Sequence, residues 1–136
     1  MAMTVIEGIH QRWAATPALC AVLPATRLWT GISADSSLPR AVVRLRSDKP
    51  LTACNDGAIV RGIGVRVQVF HGSYAAATTI VEQVKAAFER ADFDLGDGNR
   101  VIDMRHTDSA EDERADGVWR IAGDFLCTVS LAAAKA

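Results

Sequence analysis

The segment 119–131 alternates apolar with mostly polar side chains, and this pattern constrains the fold more than any other feature. From Trp119 to Leu131 every second residue is apolar or glycine. A period of two is that of a β-strand whose side chains point in turn to the two faces of a sheet. The same period runs through 63–69, where aliphatic residues alternate with glycine and polar residues. The pattern predicts long strands with one face buried against a core.

Helices are predicted in two places. The spacing of Thr4 and Glu7 is that of a capping box, in which each side chain accepts a hydrogen bond from the other residue's amide. Pro17 fits the first position of a second helical turn, so helical segments are expected over most of 4–23. Ser73 is a suitable N-cap for the main helix, 74–91, whose apolar residues recur at helical spacing.

The order of the elements favours one architecture. Short runs at 27–31 and 41–46 predict two further strands, and Asp97-Gly98 predicts the tight turn of a hairpin. The links are short enough for antiparallel pairing, and each helix has a single apolar stripe to bury. The sequence therefore predicts an α+β fold: a two-layer sandwich with a mainly antiparallel sheet and two main helical segments on one face.

Length and charge limit what the chain can do. A chain of 136 residues is the size of one domain, spanning 1–136, and 15 basic against 16 acidic residues give a net charge of −1. Sequence-specific nucleic-acid binders carry a clustered basic surface, so that class is not expected. Three scattered cysteines predict free thiols rather than a zinc site. We expect neither a signal peptide nor a membrane span, and no membrane partner.

Two polar segments, 47–58 and 107–117, lack any apolar period and are expected to be the least ordered loops of an isolated subunit. The second is an acidic hairpin loop containing Asp108, Glu111, Asp112, Glu113 and Asp116. A row of basic side chains is expected on the solvated faces of strands, formed by Arg44, Arg46 and Arg66. These eight residues are the candidate subunit or partner interface.

The motifs of catalysis and cofactor binding are missing from the sequence. The glycines of 61–67 lie inside a strand and lack the third glycine of a dinucleotide fingerprint. We therefore assign no catalytic, cofactor-binding or metal-ligating residue. One alternative stays open, a small cytoplasmic α+β domain that binds a ligand or acts as an enzyme through His71, Asp103 and His106 around a cleft at the sheet edge. A cytoplasmic adaptor is a third possibility.

The order of several short motifs resembles a known family. The segments concerned are Leu19–Leu23, Arg27–Trp29, Leu38–Val43, Val65–Tyr74 and Arg120–Phe125. Together they are similar to the phage tail-completion proteins, the small tail-terminator or head–tail joining proteins of long-tailed bacteriophages and prophages. Arg40 departs from the family pattern, in which an aromatic residue is common at this position.

This resemblance implies a structural virion protein and not an enzyme. Such proteins form a ring, often a hexamer, that caps the tail tube and then joins the tail to the head. The implied partners are further copies of the chain, the tail tube protein and the head connector proteins. The implied location is the virion, with assembly in the cytoplasm of the bacterial host.

Overall fold

The computed structural model describes residues 3–32, 37–53, 57–113 and 116–132. Within these residues the fold is α+β, with three α-helices and one curled, mostly antiparallel six-stranded sheet. In chain order the elements are α1 Val5–Ala14, α2 Pro17–Val22, a 3₁₀ turn Ala25–Arg27, β1 Leu28–Thr30, β2 Arg40–Ala53, β3 Ile59–His71, α3 Tyr74–Phe88, β4 Phe93–Gly96, β5 Asn99–Glu113 and β6 Trp119–Leu131.

The sheet is built from two long hairpins placed side by side. The strand order is β1-β2-β3-β6-β5-β4. The hairpins β2–β3 and β5–β6 meet along β3 and β6, which pair antiparallel from Ile59 opposite Leu131 to His71 opposite Trp119. The short strand β1 pairs parallel with the start of β2, while β4 pairs antiparallel with the start of β5. The predicted antiparallel character is confirmed, with this one parallel pair as the exception.

The capping predictions for the helices are confirmed. Thr4 Oγ1 accepts from the amide of Glu7, and Glu7 Oε1 accepts from the amide of Thr4, each at 3.1 Å. Ser73 Oγ accepts from the amide of Ala76 at 3.2 Å at the start of α3. The helix α3 ends at Phe88 rather than at 91, because the chain turns through Arg90, which has a positive φ of 62°.

Both long loops predicted from polarity are wrong over most of their length. Residues 47–53 continue β2, and residues 107–113 continue β5. Each extension pairs with its hairpin partner, β3 or β6, and bulges absorb the irregular residues. Pro50 is tolerated because β2 lacks a second described strand beside it at this point. Of the remaining residues of the two expected loops, 57–58 and 116–117 lie outside the strands, and 54–56 and 114–115 lie outside the described part of the chain.

The core lies between the helices and one face of the sheet. The aliphatic residues of 63–69 are buried as predicted, and Phe88 packs between the rings of Trp13 and Phe125, with ring centroids 6.5 and 6.4 Å away. Arg44 and Arg46 were expected on a solvated face of their strand, but that face is not solvated throughout. Val42 points away from the helices and is buried, because Trp29 of β1 and Gln68 of β3 lie at neighbouring register positions on that face.

Candidate assembly interface

Two segments of the sheet have no described strand on one side. The strand β1 covers β2 only at 41–43, which leaves residues 44–53 as the β2 free edge. On the other side β4 covers β5 only at 99–101. Beyond it the Arg90 amide donates to the Met104 carbonyl, and the Glu89 carboxylate accepts from the amide of His106. Residues 107–113 form the β5 free edge. Unpaired strand edges of this length present backbone donors and acceptors to another chain.

The β2 free edge is mainly basic. Arg44, Arg46 and Lys49 are exposed on it, and Asp48 is the acidic member. The Asp48 carboxylate is occupied, because it accepts from Nε of Arg61 at 2.7 Å. Lys49 was hidden from the sequence analysis by the expectation that this segment is a loop.

The β5 free edge is acidic, with its carboxylates divided between the two faces of the sheet. Pairing with β6 places Asp108 and Asp112 on the face away from the helices. Glu111 and Glu113 lie on the helix side. The structure therefore does not gather these residues into one solvated loop, because a strand sends successive side chains to opposite faces.

Four of the five acidic candidates accept hydrogen bonds within the chain, Asp108 from the amide of Ser109 at 2.8 Å. The Tyr74 hydroxyl donates to Glu111 at 3.0 Å, and this hydrogen bond to a carboxylate raises the pKa of Tyr74. Arg120 Nε donates to Asp112 Oδ1 at 2.8 Å. Asp116 stands apart from the strand, in the turn before β6, where its carboxylate accepts from the amide of Val118 at 3.2 Å.

A row of four charges crosses the middle of the helix-free face. Arg44, Arg66, Asp124 and Asp108 lie at successive register positions on β2, β3, β6 and β5. Arg66 holds Asp124 through two hydrogen bonds of 2.6 and 3.0 Å, which lower the pKa of Asp124. Arg46 Nη1 lies 3.6 Å from the same carboxylate.

The sequence analysis missed Asp124, the residue on which Arg66 and Arg46 converge. Its place in the alternation of β6 shows which face it occupies, but only the strand register shows that it lies opposite Arg66.

The three residues of the alternative catalytic site do not converge. His71 pairs with Trp119 and His106 with Phe125, six residues further along β6, which corresponds to roughly 20 Å. Asp103 lies on the opposite face from His106 and forms ion pairs with Arg90 and Arg105, each at 3.4 Å. The geometry thus gives these groups structural partners rather than a shared site.

An apolar cleft of about 700 Å³ opens on the helix side of the sheet, beside the N-terminus of α1. Met3, Ile6, Leu45 and Leu131 are among the apolar residues that line it, and Leu45 is 57% exposed. Such a lining suits an apolar side chain better than a charged ligand.

Within the described residues, no group of three His, Cys, Asp or Glu side chains is placed to hold a metal ion. Likewise, none of the helices in those residues is long and apolar enough to cross a membrane.

Comparison with known proteins gives one family and one fold. A family model described as "Tail completion protein gp17" matches residues 7–130. A chain of the solved "Virion of native gene transfer agent (GTA) particle" superposes with a TM-score of 0.71 at 17% sequence identity, covering 90% of this chain and 92% of that chain. At that identity the superposition shows a shared fold. The search of curated proteins returned no match.

Proposed function

The chain belongs to the tail completion protein gp17 family, and we propose from this premise that it caps the phage tail tube and joins tail to head as an oligomeric ring. Family membership makes it a structural protein of the phage tail, located in the virion. What we propose beyond family membership is the capping of the tube, the ring and the joining of tail to head. We also propose that 1–136 is a single domain, a two-layer sandwich with its helices on one face.

The observation that carries the ring is the placement of the two free edges. The β2 free edge is mainly basic and the β5 free edge is acidic, and they lie on opposite sides of one sheet. A subunit with two different complementary edges associates head to tail, and such contacts close into a ring when the rotation between neighbours allows it. We infer that six of the eight candidate interface residues act through these edges. The exceptions are Arg66, whose charge is satisfied by Asp124, and Asp116, which lies in the turn before β6 and not on the β5 free edge.

We propose that the protein performs no catalysis and needs no cofactor, and that it assembles in the cytoplasm of the bacterial host. Its partners in this proposal are further copies of itself, the tail tube protein and the head connector proteins, with six copies in the ring as the resemblance implies. The separation of His71, Asp103 and His106 leaves the enzymatic alternative without a supporting observation.

Deletion of the gene from the phage or prophage that carries it tests the proposal. Electron microscopy of the lysate should show heads and tails that are not joined, with tails lacking a defined end, and the intact gene supplied in trans should restore joined particles. Quantitative mass spectrometry of purified wild-type particles should find a few copies per tail, as for one ring. Normal particles from the deletion strain would refute the proposed function.

A further inference from the structure

The two free edges also specify how neighbouring subunits meet. Resting on the proposed ring, we propose that the β2 free edge of one subunit pairs antiparallel with the β5 free edge of the next. In this pairing Arg44 lies opposite Asp112 and Lys49 lies opposite Asp108. The ligand of each edge is thus a second copy of this chain, in one defined register.

The direction of pairing follows from the sheet topology. Each step from β2 to β3, from β3 to β6 and from β6 to β5 is antiparallel, so β2 and β5 run in opposite directions within one subunit. Rotation about a ring axis keeps the component of each strand direction that lies along the axis. The β5 of one subunit therefore meets the β2 of its neighbour antiparallel, and the two sheets continue with the same faces aligned.

Two obstacles within the subunit restrict the register. The strand β1 occupies the side of β2 at 41–43, so a neighbouring strand can begin no earlier than Arg44. Residues 89–90 bond to β5 up to His106, so β5 is open only from Thr107 onward. Pairs between subunits must therefore join residues of 107–113 to residues of 44–53, and Glu113 stays unpaired when Asp112 lies opposite Arg44, because Thr30 of β1 already pairs with Val43.

The faces and charges select one register within this window. Asp108, Ala110 and Asp112 lie on the helix-free face of β5. On β2 the matching face carries Arg44, Ser47 and Lys49, with Arg46 as the extra residue of a bulge. Placing Asp112 opposite Arg44 sets Ala110 opposite Ser47 and Asp108 opposite Lys49, so both carboxylates face a cation. A shift by one pair along that face sets Asp112 opposite Ser47 and Asp108 opposite Thr52, and both ion pairs are lost.

The isolated subunit also leaves like charges opposite each other, which a neighbour would relieve. Arg44 is the register partner of Arg66, and Asp108 is the register partner of Asp124. Like charges directly opposite on a sheet are destabilising, whereas opposite charges stabilise the pair. A neighbouring subunit in the proposed register brings an acidic residue to Arg44 and a basic residue to Asp108.

Charge reversal with mixing tests the pairing of the edges. In variant A, Arg44→Glu and Lys49→Glu place acidic residues at the proposed pairing positions of both edges; in variant B, Asp108→Lys and Asp112→Lys place basic residues at these positions of both edges. Each variant alone should lose ring formation, and the mixture should recover it, because alternating subunits restore opposite charges at every contact. Light scattering of purified protein gives the ring mass, or joined particles are counted when the variants complement a deletion strain. The control, Arg90→Glu with Arg100→Glu, makes the same charge change beside β4 and should behave like the parent.

A disulfide link between subunits tests the proposed register. Ser47→Cys with Ala110→Cys should give a ladder of covalent oligomers on oxidation in a Cys54→Ser background, because the two positions lie on opposite sides of one subunit and meet only between subunits. Lys49→Cys with Ala110→Cys is matched to the shifted register and should not link. Linking of the second pair alone would overturn the proposed register.

The failures of this inference and of the proposed function are distinguishable. Rings or joined particles that ignore the charge reversals and link through neither cysteine pair would place the subunit contact elsewhere, and the edge pairing would be refuted while the ring stands. A deletion strain with normal particles would instead refute the proposed function itself.

Discussion

Truncation of Phe88 is the sharpest test of how the helices are held on the sheet. Its side chain is fully buried at the end of α3, between Trp13 of α1 and Phe125 of β6. One ring therefore links both helical segments to the central strands. Phe88→Ala would remove that link and leave a cavity that these neighbours can fill only in part.

The magnitude follows from burial. Removing a fully buried phenylalanine side chain forfeits a transfer free energy of about 1.5–3 kcal/mol, and the cavity raises the usual cost to about 3–5 kcal/mol. Two aromatic neighbours place Phe88 in the upper part of that range. Since a domain of ordinary stability unfolds with about 5–15 kcal/mol, the variant should lose a large fraction of its stability.

Urea unfolding followed by tryptophan fluorescence measures the loss, because Trp13 lies beside the mutated site. The matched control is Leu126→Ala on the helix-free face, where the side chain is 39% exposed and a loss under about 1 kcal/mol is expected. A loss under about 1 kcal/mol for Phe88→Ala, with an unchanged slope, would contradict the described core.

Four further predictions concern the edges, the charge row and one tight packing site. Reversing Glu111, Asp112 and Glu113 to Lys should change the free energy of unfolding by no more than about 1 kcal/mol, because the three side chains are exposed, and urea unfolding measures this. The same variant should weaken ring formation, as high salt should for the parent, and light scattering measures the ring mass in both cases. Because its folded pKa is lowered by Arg66, the Asp124 carboxylate stabilises the fold above its unfolded pKa, and this contribution is lost as pH falls through the folded value; Asp124→Asn should flatten that acid-side loss in urea titrations between about pH 5 and 2. Gly8→Ala should destabilise although alanine favours helices, because its Cβ would lie 2.6 Å from Leu95 Cδ2; thermal unfolding tests this against Ala14→Gly, which should cost about 1 kcal/mol through propensity alone. In 44–53 and 107–113, amides bonded to β3 or β6 should exchange slowly and those facing the free edges fast, until ring assembly protects the latter; uniform fast exchange in both segments would contradict the strand assignment.

Local signals in the sequence were sufficient for much of the fold. Capping at Thr4 and Ser73 depends on residues three positions apart, so it is visible without any tertiary structure. The alternation in 63–69 and 119–131 likewise reports a face of a strand, and the buried face was predicted correctly.

The ends of the strands depend on long-range pairing. Residues 47–53 and 107–113 carry polar and turn-forming side chains with poor intrinsic strand preference. They are extended because their hairpin partners, β3 and β6, have strong apolar periods and supply hydrogen bonds along their full length. Tertiary pairing overrides local propensity there, and a single sequence contains no signal for it.

Long-range strand pairing also decides which charged residues can act between subunits, and a single sequence does not show this pairing. Sequence alternation placed Arg44 and Arg66 on one face, but it could not show that Arg66 lies opposite Asp124 in the middle of the sheet while Arg44 lies at its edge. Arg66 adds little to a contact between subunits, because both of its hydrogen bonds to Asp124 would have to break first. Asp112, by contrast, accepts from Arg120 through Oδ1 alone and keeps Oδ2 for a second cation. The register partners of Arg44 and Lys49 on β3 are Arg66 and Gly62, neither of which is a carboxylate, so position in the sheet, more than charge, separates an interface residue from a structural one.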